Sequence, residues 1–394
     1  MMQPQRVGIA TFHYSYNEGA ILQSVASAQT INNFKGVTGE VIDQRYPAKE
    51  AVYGAPNDDR KRALLNYVDH HLTKSDKQFH AGSDLSGVYN YINTRYDHLL
   101  IGSDVVWTLR YAPLIKRSIG KKLFLKQRSP FFTPFPNLYW PSEKLTIPSY
   151  SYAAAIGTLE YTEIPKRDRI KLLESLRRLS KISVRDERTR RFVEFLDPGL
   201  AQDVSLVPDP TFALPLDYKN LEKLKEKLMA WGVDFDRPIC CFIASNDPQL
   251  RTFADYLTSK GYQTISLSTH NNFTELSLSD KSIDPIEWSI IFKLFDFCVT
   301  ERMHGAIFCM KNLLPFIAID INETEVDNDS KMVSLMRDGG LEDFLIPKSG
   351  ITFSNLEGIF RLLNSDVESW EGKVEARLVE AGQVTRAYLS QLFA

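Results

Sequence analysis

Short apolar runs alternate with segments of helical spacing along almost the whole chain. A short apolar run bounded by polar residues predicts a buried strand, and apolar residues three or four positions apart predict an amphipathic helix. Such alternation is typical of a parallel sheet with helices on both faces. In the first half the pattern predicts strands at 5–11, 38–42, 98–101, 149–155, 181–184 and 204–207, and helices at 19–34, 166–179 and 187–196.

The second half repeats this alternation. It predicts helices at 221–231, 250–260, 286–294 and 305–311, strands at 239–244, 263–267, 297–300 and 315–319, and a terminal amphipathic helix over 366–394. With 394 residues, two domains are the default expectation. We therefore predict an α/β fold of two Rossmann-like domains facing a cleft, residues 1–214 and 215–394, joined where Pro210 and Pro215 interrupt the pattern.

Composition narrows the classes of function. The 47 Lys and Arg residues nearly balance 49 Asp and Glu residues, and a net charge of −2 argues against nucleic-acid binding through the overall field. No apolar run approaches ~18 residues and no secretory signal precedes the first strand, so the expected location is the cytoplasm. The four cysteines lie in apolar runs without ligand spacing, and the histidines form no zinc motif, so no metal is expected.

One segment departs from the alternation. Residues 105–142 contain no acidic residue, seven basic residues and interleaved aromatic residues. A long irregular insertion in a compact domain is usually functional or mobile. Its composition suits an anionic glycan, a lipid-diphosphate headgroup at a membrane surface, or a nucleic-acid strand. A solvated flap whose aromatic residues pack on the body is an equally good interpretation.

Two strand ends carry candidate anion-binding residues. Arg302 and His304 lie between one predicted strand and the next helix, and Arg185 lies at a second such junction. Ligands bind at the carboxyl ends of parallel strands, where helix N–H groups attract phosphate or carboxylate. Arginine holds such a group bidentately, histidine moves a proton near neutral pH, and Gly305 lets the backbone approach closely. Capping, surface exposure and local ion pairs are the structural alternatives, and the turn at 208–211 is interpreted as mainly structural.

Two further junctions carry polar residues. Ser103 and Asp104 follow the strand that ends at Ile101. Asp104 is a candidate to orient a sugar hydroxyl or act as a base, and capping a helix is its alternative role. Asn17 and Gly19 mark the start of the first long helix, which is expected to open toward the cleft. No G-x-G-x-x-G fingerprint follows the first strand, so no dinucleotide is expected.

Eight short blocks resemble the polysaccharide pyruvyl transferase family. They are GIATFH at 8–13, NEGAILQ at 17–23, IGSDVVW at 101–107, YAAAIG at 152–157, ISVRDE at 182–187, PDPT at 208–211, RMHG at 302–305 and PFI at 315–317. The resemblance implies a fold similar to GT-B glycosyltransferases, with the acceptor in the first domain and the donor in the second. It implies transfer of pyruvate from phosphoenolpyruvate to glycan hydroxyls as a ketal, in exopolysaccharide and cell-envelope synthesis.

The resemblance implies that Arg185, Arg302, His304 and Lys331 line the phosphoenolpyruvate pocket, and the other site assignments come from the residues at each strand–helix junction. His304 is the expected general acid/base, and Asp104 is a second catalytic candidate. The residues expected to bind substrate are Arg185, Arg302, Met303, Gly305, Lys331, Asn17, Gly19 and Ser103. Lys331 rests on a looser alignment than the others. No cofactor is implied beyond phosphoenolpyruvate as donor substrate, and the acceptor is an oligosaccharide or a lipid-linked glycan, with peripheral contact at the inner face of the membrane.

Other interpretations stay open. A nucleotide-sugar-dependent glycosyltransferase uses the same architecture and the same helix N-termini, so fold alone does not decide. A non-catalytic glycan- or phosphate-binding protein would keep the scaffold without turnover. Nucleic-acid binding through residues 110–128 is a further alternative, although no nucleic acid is expected as a partner. The insertion has no counterpart in the family pattern, so the acceptor sugar is not indicated.

Overall fold

The computed structural model describes residues 4–46, 58–80, 84–109, 137–322 and 330–393. In these ranges the two halves of the chain each form a main parallel sheet with helices packed on it. The strands of the first half are β1 (Gln5–Ala10), β2 (Val37–Val41), β3 (Gln44–Arg45), β4 (Phe79–His80), β5 (His98–Ile101), β6 (Ser149–Ser151), β7 (Ser183–Val184) and β8 (Ser205–Leu206). Its helices are α1 (Glu18–Asn32), α2 (Asp59–His70), α3 (Leu85–Arg95), α4 (Lys166–Leu176), α5 (Glu187–Leu196) and α6 (Pro198–Ala201).

The first sheet has the strand order β2-β1-β5-β6, and all its pairs are parallel. Ile9 of β1 lies in register between Val41 and Leu100. A bridge between Ala154 and Val184 connects the chain after β6 with the β7–β8 pair. The loops after β1, β5 and β7 therefore leave the same edge of the sheet, which is where parallel sheets bind ligands.

The second sheet has six parallel strands in the order β11-β10-β9-β12-β13-β14. The strands are β9 (Ile239–Ile243), β10 (Gln263–Ser266), β11 (Leu276–Ser277), β12 (Phe297–Thr300), β13 (Phe316–Asp320) and β14 (Leu345–Pro347). The helices are α7 (Leu221–Ala230), α8 (Pro248–Ser259), α9 (Pro285–Ile291), α10 (Met303–Asn312), α11 (Lys331–Asp338), α12 (Phe353–Ser365) and α13 (Val367–Phe393). Every residue of β9, β10, β12 and β13 is buried, as expected for a parallel sheet covered on both faces.

Short 3-10 helices complete the described structure. They are Tyr161–Glu163, Pro210–Ala213, Tyr218–Asn220, Phe292–Leu294, Glu342–Phe344 and Lys348–Gly350. All four cysteines, each within the described ranges, are buried and form no disulfide, so they belong to the core. None of the helices in these ranges combines the length and apolar character needed to cross a membrane.

Helix α1 lies between the two sheets and is buried over most of its length. It packs on β2, on α9 of the second half and on the 3-10 helix Pro210–Ala213. Its polar residues are satisfied locally, since Gln23 Nε2 donates to the carbonyl of Phe12 at 2.6 Å and the Ser24 and Ser27 hydroxyls donate to the preceding turn. The start of α1 is held against the second domain, where the Ser268 hydroxyl donates a bond of 3.0 Å to Glu18.

The terminal helix α13 contacts both domains. Near its start, the Trp370 ring lies 6.1 Å from that of Phe316 in the second sheet. Near its end, Tyr388 donates a hydrogen bond of 2.6 Å to the carbonyl of Ser151 in the first sheet, and the Phe393 ring packs 5.9 Å from that of His98. The helix predicted at 366–394 therefore connects the two domains as well as covering the second.

The two sheets confirm the predicted α/β fold of two Rossmann-like domains. The strand predicted at 149–155 is shorter than expected and ends at Ser151. The reason is backbone conformation, because Ala153 has a φ of +49° and cannot continue an extended strand. Most of the basic insertion predicted at 105–142 falls on residues 110–136, which lie outside the described residues, and the domain limits stay a prediction.

Candidate active site

Asp209 joins two of the predicted site residues. Nη1 of Arg185, at the end of β7, donates a hydrogen bond of 2.8 Å to Asp209 Oδ2. Nε2 of His304, in the first turn of α10, lies 3.5 Å from the same oxygen. The other oxygen, Oδ1, accepts bonds from the backbone N–H and the hydroxyl of Thr211 at 3.0 and 2.7 Å. One carboxylate thus holds a guanidinium of the first domain beside an imidazole of the second.

The charge of Asp209 is stabilised by these neighbours. Burial opposes its ionisation, but attraction to His304 and then to Arg185 outweighs burial and holds the pKa of Asp209 well below its usual range. Burial opposes the charge of Arg185 as well, and the carboxylates of Asp209, Asp104 and Asp186 nevertheless raise its pKa. A buried ion pair requires such compensation, because both charges have left water.

His304 is packed directly against the start of α1. A Cβ atom built on Gly19 would lie 2.1 Å from His304 Nδ1 and 2.6 Å from its Cβ, so only glycine leaves room for the ring. In the described part of the chain His304 Nε2 and Arg185 Nε are buried nitrogens without a hydrogen-bond partner. Native buried polar groups are nearly always bonded, so these two atoms indicate a place where a ligand or water completes the site.

Arg302 and Lys331 add positive charge to the same part of the cleft. Arg302 is the N-terminal residue flanking α10, makes no capping bond with its side chain, and places Nη2 3.4 Å from the Thr269 hydroxyl. Burial lowers the pKa of Arg302 although Glu18 attracts its charge. Lys331 is the first residue of α11, and part of its side chain reaches solvent. Desolvation by the surrounding protein, and then the positive charge of Arg185, lower its pKa.

Ser103 and Asp104 follow β5 at the edge of the cleft. Ser103 is fully buried, its carbonyl accepts a bond of 3.1 Å from the Thr11 hydroxyl, and its own hydroxyl has no partner among the described residues. Asp104 is half-buried and accepts a bond of 2.8 Å from the Val105 N–H at a turn. No helix begins there in the described structure, so the alternative role of Asp104 as a helix cap is wrong. Its charge interacts with Arg185 and Lys331.

The remaining predicted residues lie nearby with structural contacts. Asn17 caps α1, accepting from the N–H groups of Gly19 and Ala20. Met303 is buried beside Arg185 and Asp209. The space above Gly305 is filled by the Thr300 hydroxyl, which a Cβ atom would approach to 2.4 Å. The absence of a side chain at Gly305 therefore lets α10 pack on the end of β12.

Both ends of the basic insertion are anchored in the first domain. The Trp107 and Trp140 rings stack with their centroids 5.4 Å apart, and Trp107 Nε1 donates to the Tyr139 carbonyl at 3.2 Å. Both tryptophans are buried.

The sequence analysis treated Asp209 as part of a structural turn, although its carboxylate contacts both Arg185 and His304. The PDPT block contained the signal, because it lies between two candidate site blocks.

A metal centre finds no support in the described ranges, where no three His, Cys, Asp or Glu side chains are gathered as a metal ion requires. What the site offers instead is several cations, a histidine and the free N–H groups at the start of α10. This combination suits a small ligand with more than one negative charge.

Solved structures of the same fold include sugar-nucleotide enzymes. A UDP-GlcNAc 2-epimerase from Neisseria meningitidis bound to UDP-GlcNAc has a TM-score of 0.55 at 11% identity, covering 98% of this chain and 99% of that one. A UDP-N-acetylglucosamine 2-epimerase from Rickettsia bellii has a TM-score of 0.50 at 11% identity, covering 99% and 96%. The wall teichoic acid polymerase TagF has a TM-score of 0.50 at 11% identity, covering 100% and 89%.

These structures are GT-B-like, which confirms the fold predicted from sequence. At such low identity they show the fold alone. No curated protein matches the chain. The family model described as "Polysaccharide pyruvyl transferase" matches residues 17–323. This range includes Asp104, Arg185, Asp209, Arg302 and His304. The chain therefore belongs to the polysaccharide pyruvyl transferase family.

Proposed function

We propose that this transferase moves pyruvate from phosphoenolpyruvate onto two hydroxyl groups of a glycan, forming a ketal and releasing phosphate. The observation that carries the proposal is the convergence of Arg185, Arg302 and His304, which lie inside the region that matches the family, with Lys331, which follows that region. Phosphoenolpyruvate carries a carboxylate and a phosphate. A ligand with two such anionic groups needs several cations to offset the loss of its hydration.

The donor is proposed to bind between the two domains. Arg185 and Arg302 are suited to hold its carboxylate and phosphate, because each guanidinium presents donors in a fixed fork. The start of α10 adds N–H groups and the positive end of the helix dipole. The positive charges of Arg185 and Arg302 repel that of Lys331, and this repulsion contributes to its lowered pKa. The negative charges of a bound donor would offset the repulsion, so donor binding and the protonated state of Lys331 stabilise each other.

The proposed reaction begins with a proton added to the methylene carbon. The methylene group becomes a methyl group, the C=C bond becomes a single bond, and positive charge is left on the carbon that bears the phosphate. One sugar hydroxyl then adds to that carbon and loses its proton. Phosphate leaves with the electron pair of its C–O bond, and a second hydroxyl adds and loses its proton. Of the two protons released, one replaces the proton spent at the start and the other leaves with phosphate.

His304 is the proposed general acid/base for these steps. Its ring is fixed between Gly19 and Asp209, and the ionised Asp209 carboxylate faces Nε2. Asp209 is a positioning residue in this scheme, since it orients both the imidazole and Arg185. Asp104, with its charge close to Arg185, is the proposed acceptor-side carboxylate that orients a sugar hydroxyl or takes its proton.

The first test measures phosphate release from phosphoenolpyruvate with a panel of soluble and lipid-linked glycans. We expect His304→Ala to lower kcat by about 10²–10⁴-fold, because a positioned proton transfer contributes that much. We expect Arg302→Ala mainly to raise the KM for phosphoenolpyruvate. The controls are His70→Ala and Arg361→Ala, which change an exposed histidine and an exposed arginine outside the candidate site. Turnover near wild type in His304→Ala would remove His304 from the mechanism.

A second test separates the proposal from its alternatives. The epimerases of similar fold are named for UDP-sugars, so a sugar-nucleotide donor must be compared directly. Thermal-shift measurements with phosphoenolpyruvate, UDP-sugars and GDP-sugars are expected to show stabilisation by phosphoenolpyruvate, about 2.7 kcal/mol at a hundredfold excess over Kd. Stabilisation by a UDP-sugar alone would favour a glycosyltransferase. Stabilisation by phosphoenolpyruvate without phosphate release from any acceptor would indicate a binding protein.

The acceptor is proposed to be an oligosaccharide, either soluble or lipid-linked. A lipid-linked acceptor would bring the protein to the inner face of the membrane as a peripheral contact. Comparing turnover of one glycan with and without its lipid diphosphate, in the presence of anionic vesicles, tests this part. A gain of turnover that vanishes at high salt would support electrostatic contact with the membrane.

A further inference from the structure

A groove opens beside Arg185 between the two domains. Its volume is about 310 Å³, at the lower end of the range of small-molecule sites. One wall comes from the first domain and the other from α11: Asp186, Glu187 and Leu206 face Ser334, Arg337 and Asp338. A narrower cavity of about 20 Å³ continues from the groove to Asp209 and Met303, and Arg185 belongs to both. The groove therefore lies beside the proposed donor site and shares Arg185 with it.

The charges of the groove differ from those of the donor site. The donor site gathers Arg302, Lys331 and Arg185 beside Asp104 and Asp209, so its formal charge is +1 even with His304 neutral. The groove instead combines two arginines, Arg185 and Arg337, with three carboxylates, so its formal charge is −1. A second phosphate or carboxylate would be repelled there, whereas a neutral ligand with many hydroxyl groups finds both donors and acceptors. The donor site thus favours an anionic ligand, and the groove favours a neutral one.

The carboxylates of the groove are held in place by bonds outside it. Asp186 Oδ1 accepts from the Thr189 N–H at 2.8 Å, which caps α5. Asp338 is bonded to Arg377 of the terminal helix at 3.4 Å. Both bonds that Asp186 accepts, from the N–H and the hydroxyl of Thr189, end on Oδ1, so its Oδ2 remains able to accept a hydroxyl proton. Leu206 is 46% exposed and supplies an apolar surface in the same wall.

We propose that this groove binds the neutral sugar residues of the acceptor that neighbour the sugar receiving pyruvate. The inference rests on the proposed function. Rigid carboxylates and arginines on opposite walls match the neighbouring hydroxyl groups of a pyranose, and Leu206 matches its C–H face. A glycan lying in the groove extends past Arg185 toward the donor. Closure of the two domains would narrow the groove, since its walls belong to different domains.

The experiment uses saturation-transfer NMR with methyl glycosides of neutral hexoses and N-acetylhexosamines, in the presence of phosphoenolpyruvate. Leu206→Arg places a long side chain in the groove from an exposed position, and Arg337→Ala removes a donor. We expect each to weaken glycoside binding by at least about fivefold, the effect of one lost hydrogen bond or more. The matched controls are Val379→Arg, at another exposed apolar position, and Arg361→Ala. All four variants should keep the wild-type thermal shift with phosphoenolpyruvate.

Each remaining outcome contradicts one specific claim. Absence of glycoside binding to the wild type, or wild-type binding by both groove variants, would overturn the groove as a sugar site. A thermal shift with inorganic phosphate that Arg337→Ala abolishes would identify an anion site instead. Glycoside binding that the groove variants weaken, without phosphate release from phosphoenolpyruvate, would overturn the proposed function and leave the groove as a glycan site. Phosphate release with an unchanged acceptor KM in both variants would overturn the groove alone.

Discussion

Asp209 connects the two domains through a single carboxylate oxygen. That oxygen accepts from Arg185 and faces His304, while the other oxygen stabilises the turn at Thr211. A short turn rich in proline is adequately explained by structure alone, which is why its sequence suggested no site role. The contacts of Asp209 with Arg185 and His304 favour a role in the site instead. A buried carboxylate stays ionised only where nearby cations offset the loss of its hydration.

Gly19 carries the clearest prediction at the level of one residue. Alanine is favoured over glycine in a helix by about 1 kcal/mol, so Gly19→Ala would ordinarily stabilise α1. Here the added Cβ collides with the ring and Cβ of His304, which must move away from Asp209. We expect phosphate release to fall by about 10²-fold or more, and overpacking to cost about 1–3 kcal/mol. Steady-state kinetics and urea unfolding measure the two effects.

Gly358 provides the matched control for this change. It lies in α12, and a Cβ atom built on it meets no atom within 4 Å. Gly358→Ala should therefore leave phosphate release unchanged and raise the free energy of unfolding by up to about 1 kcal/mol. Full activity in Gly19→Ala would show that the position of the His304 ring does not matter for turnover.

The helix starts are the elements that build the site. Helices α1, α10 and α11 begin at the cleft and place Gly19, His304 and Lys331 there. Sequence predicted the first two, because a polar junction precedes a clear apolar pattern in each. It did not predict α11, since its eight residues span little more than two turns, too few for a period to stand out. Lys331 was therefore found only through the resemblance to the family.

The same limit explains the other elements that sequence missed. Helix α2 begins with four charged residues, and its buried face includes Arg60 and Lys61 beside Leu64 and Val68, so apolar residues mark only part of that face. Strands β3 and β4 have two residues each, which is too short for an alternation of apolar and polar residues to be visible. Long, buried strands such as β9 were found at almost their true limits, because continuous apolar runs are their signal.

Substitutions of Asn17 distinguish its structural role as a helix cap from a role in substrate binding. As the cap of α1 it accepts from Gly19 N–H, and removing such a cap costs about 1 kcal/mol. We expect Asn17→Ala to lose about that much by urea unfolding, and Asn17→Asp to recover it with an unchanged KM for phosphoenolpyruvate. Asp247→Ala, which removes the cap of α8, is the comparison for stability. A raised KM in the stable Asn17→Asp variant would instead indicate contact with substrate.

At the level of the whole molecule, a buried network joins the domains beside the site. Glu18 accepts two bonds from Arg60, at 2.7 and 2.9 Å, and one of 3.0 Å from the Ser268 hydroxyl of the second domain. Ser268 in turn accepts from Trp288 Nε1 at 2.8 Å. Together with α13, this network fixes how the two halves of the cleft face each other, so cleft geometry depends on a charge that no substrate needs to touch.

The acid dependence of stability follows from that network. Burial opposes the charge of Glu18, but Arg60 outweighs burial and lowers its pKa below the usual value of about 4.3. A carboxyl with a depressed pKa in the folded state stabilises the protein above the unfolded pKa. This contribution is lost as the pH falls through the folded pKa, by at most about 1.4 kcal/mol per pH unit. Wild-type stability should therefore decrease on acidification below about pH 4.

Glu18→Gln tests this claim. At neutral pH it leaves Arg60 buried without its counter-charge, which we expect to cost about 3–5 kcal/mol. As the pH falls from the unfolded pKa of about 4.3 toward the lower folded pKa, the wild-type protein loses the stability that this charge supplies, so the difference in unfolding free energy between the two proteins should shrink. Urea unfolding from pH 7 to pH 3 measures it, with Glu357→Gln, in an exposed pair with Arg361, as a control worth less than about 1 kcal/mol. A constant difference across that range would mean that Glu18 contributes through packing and not through its charge.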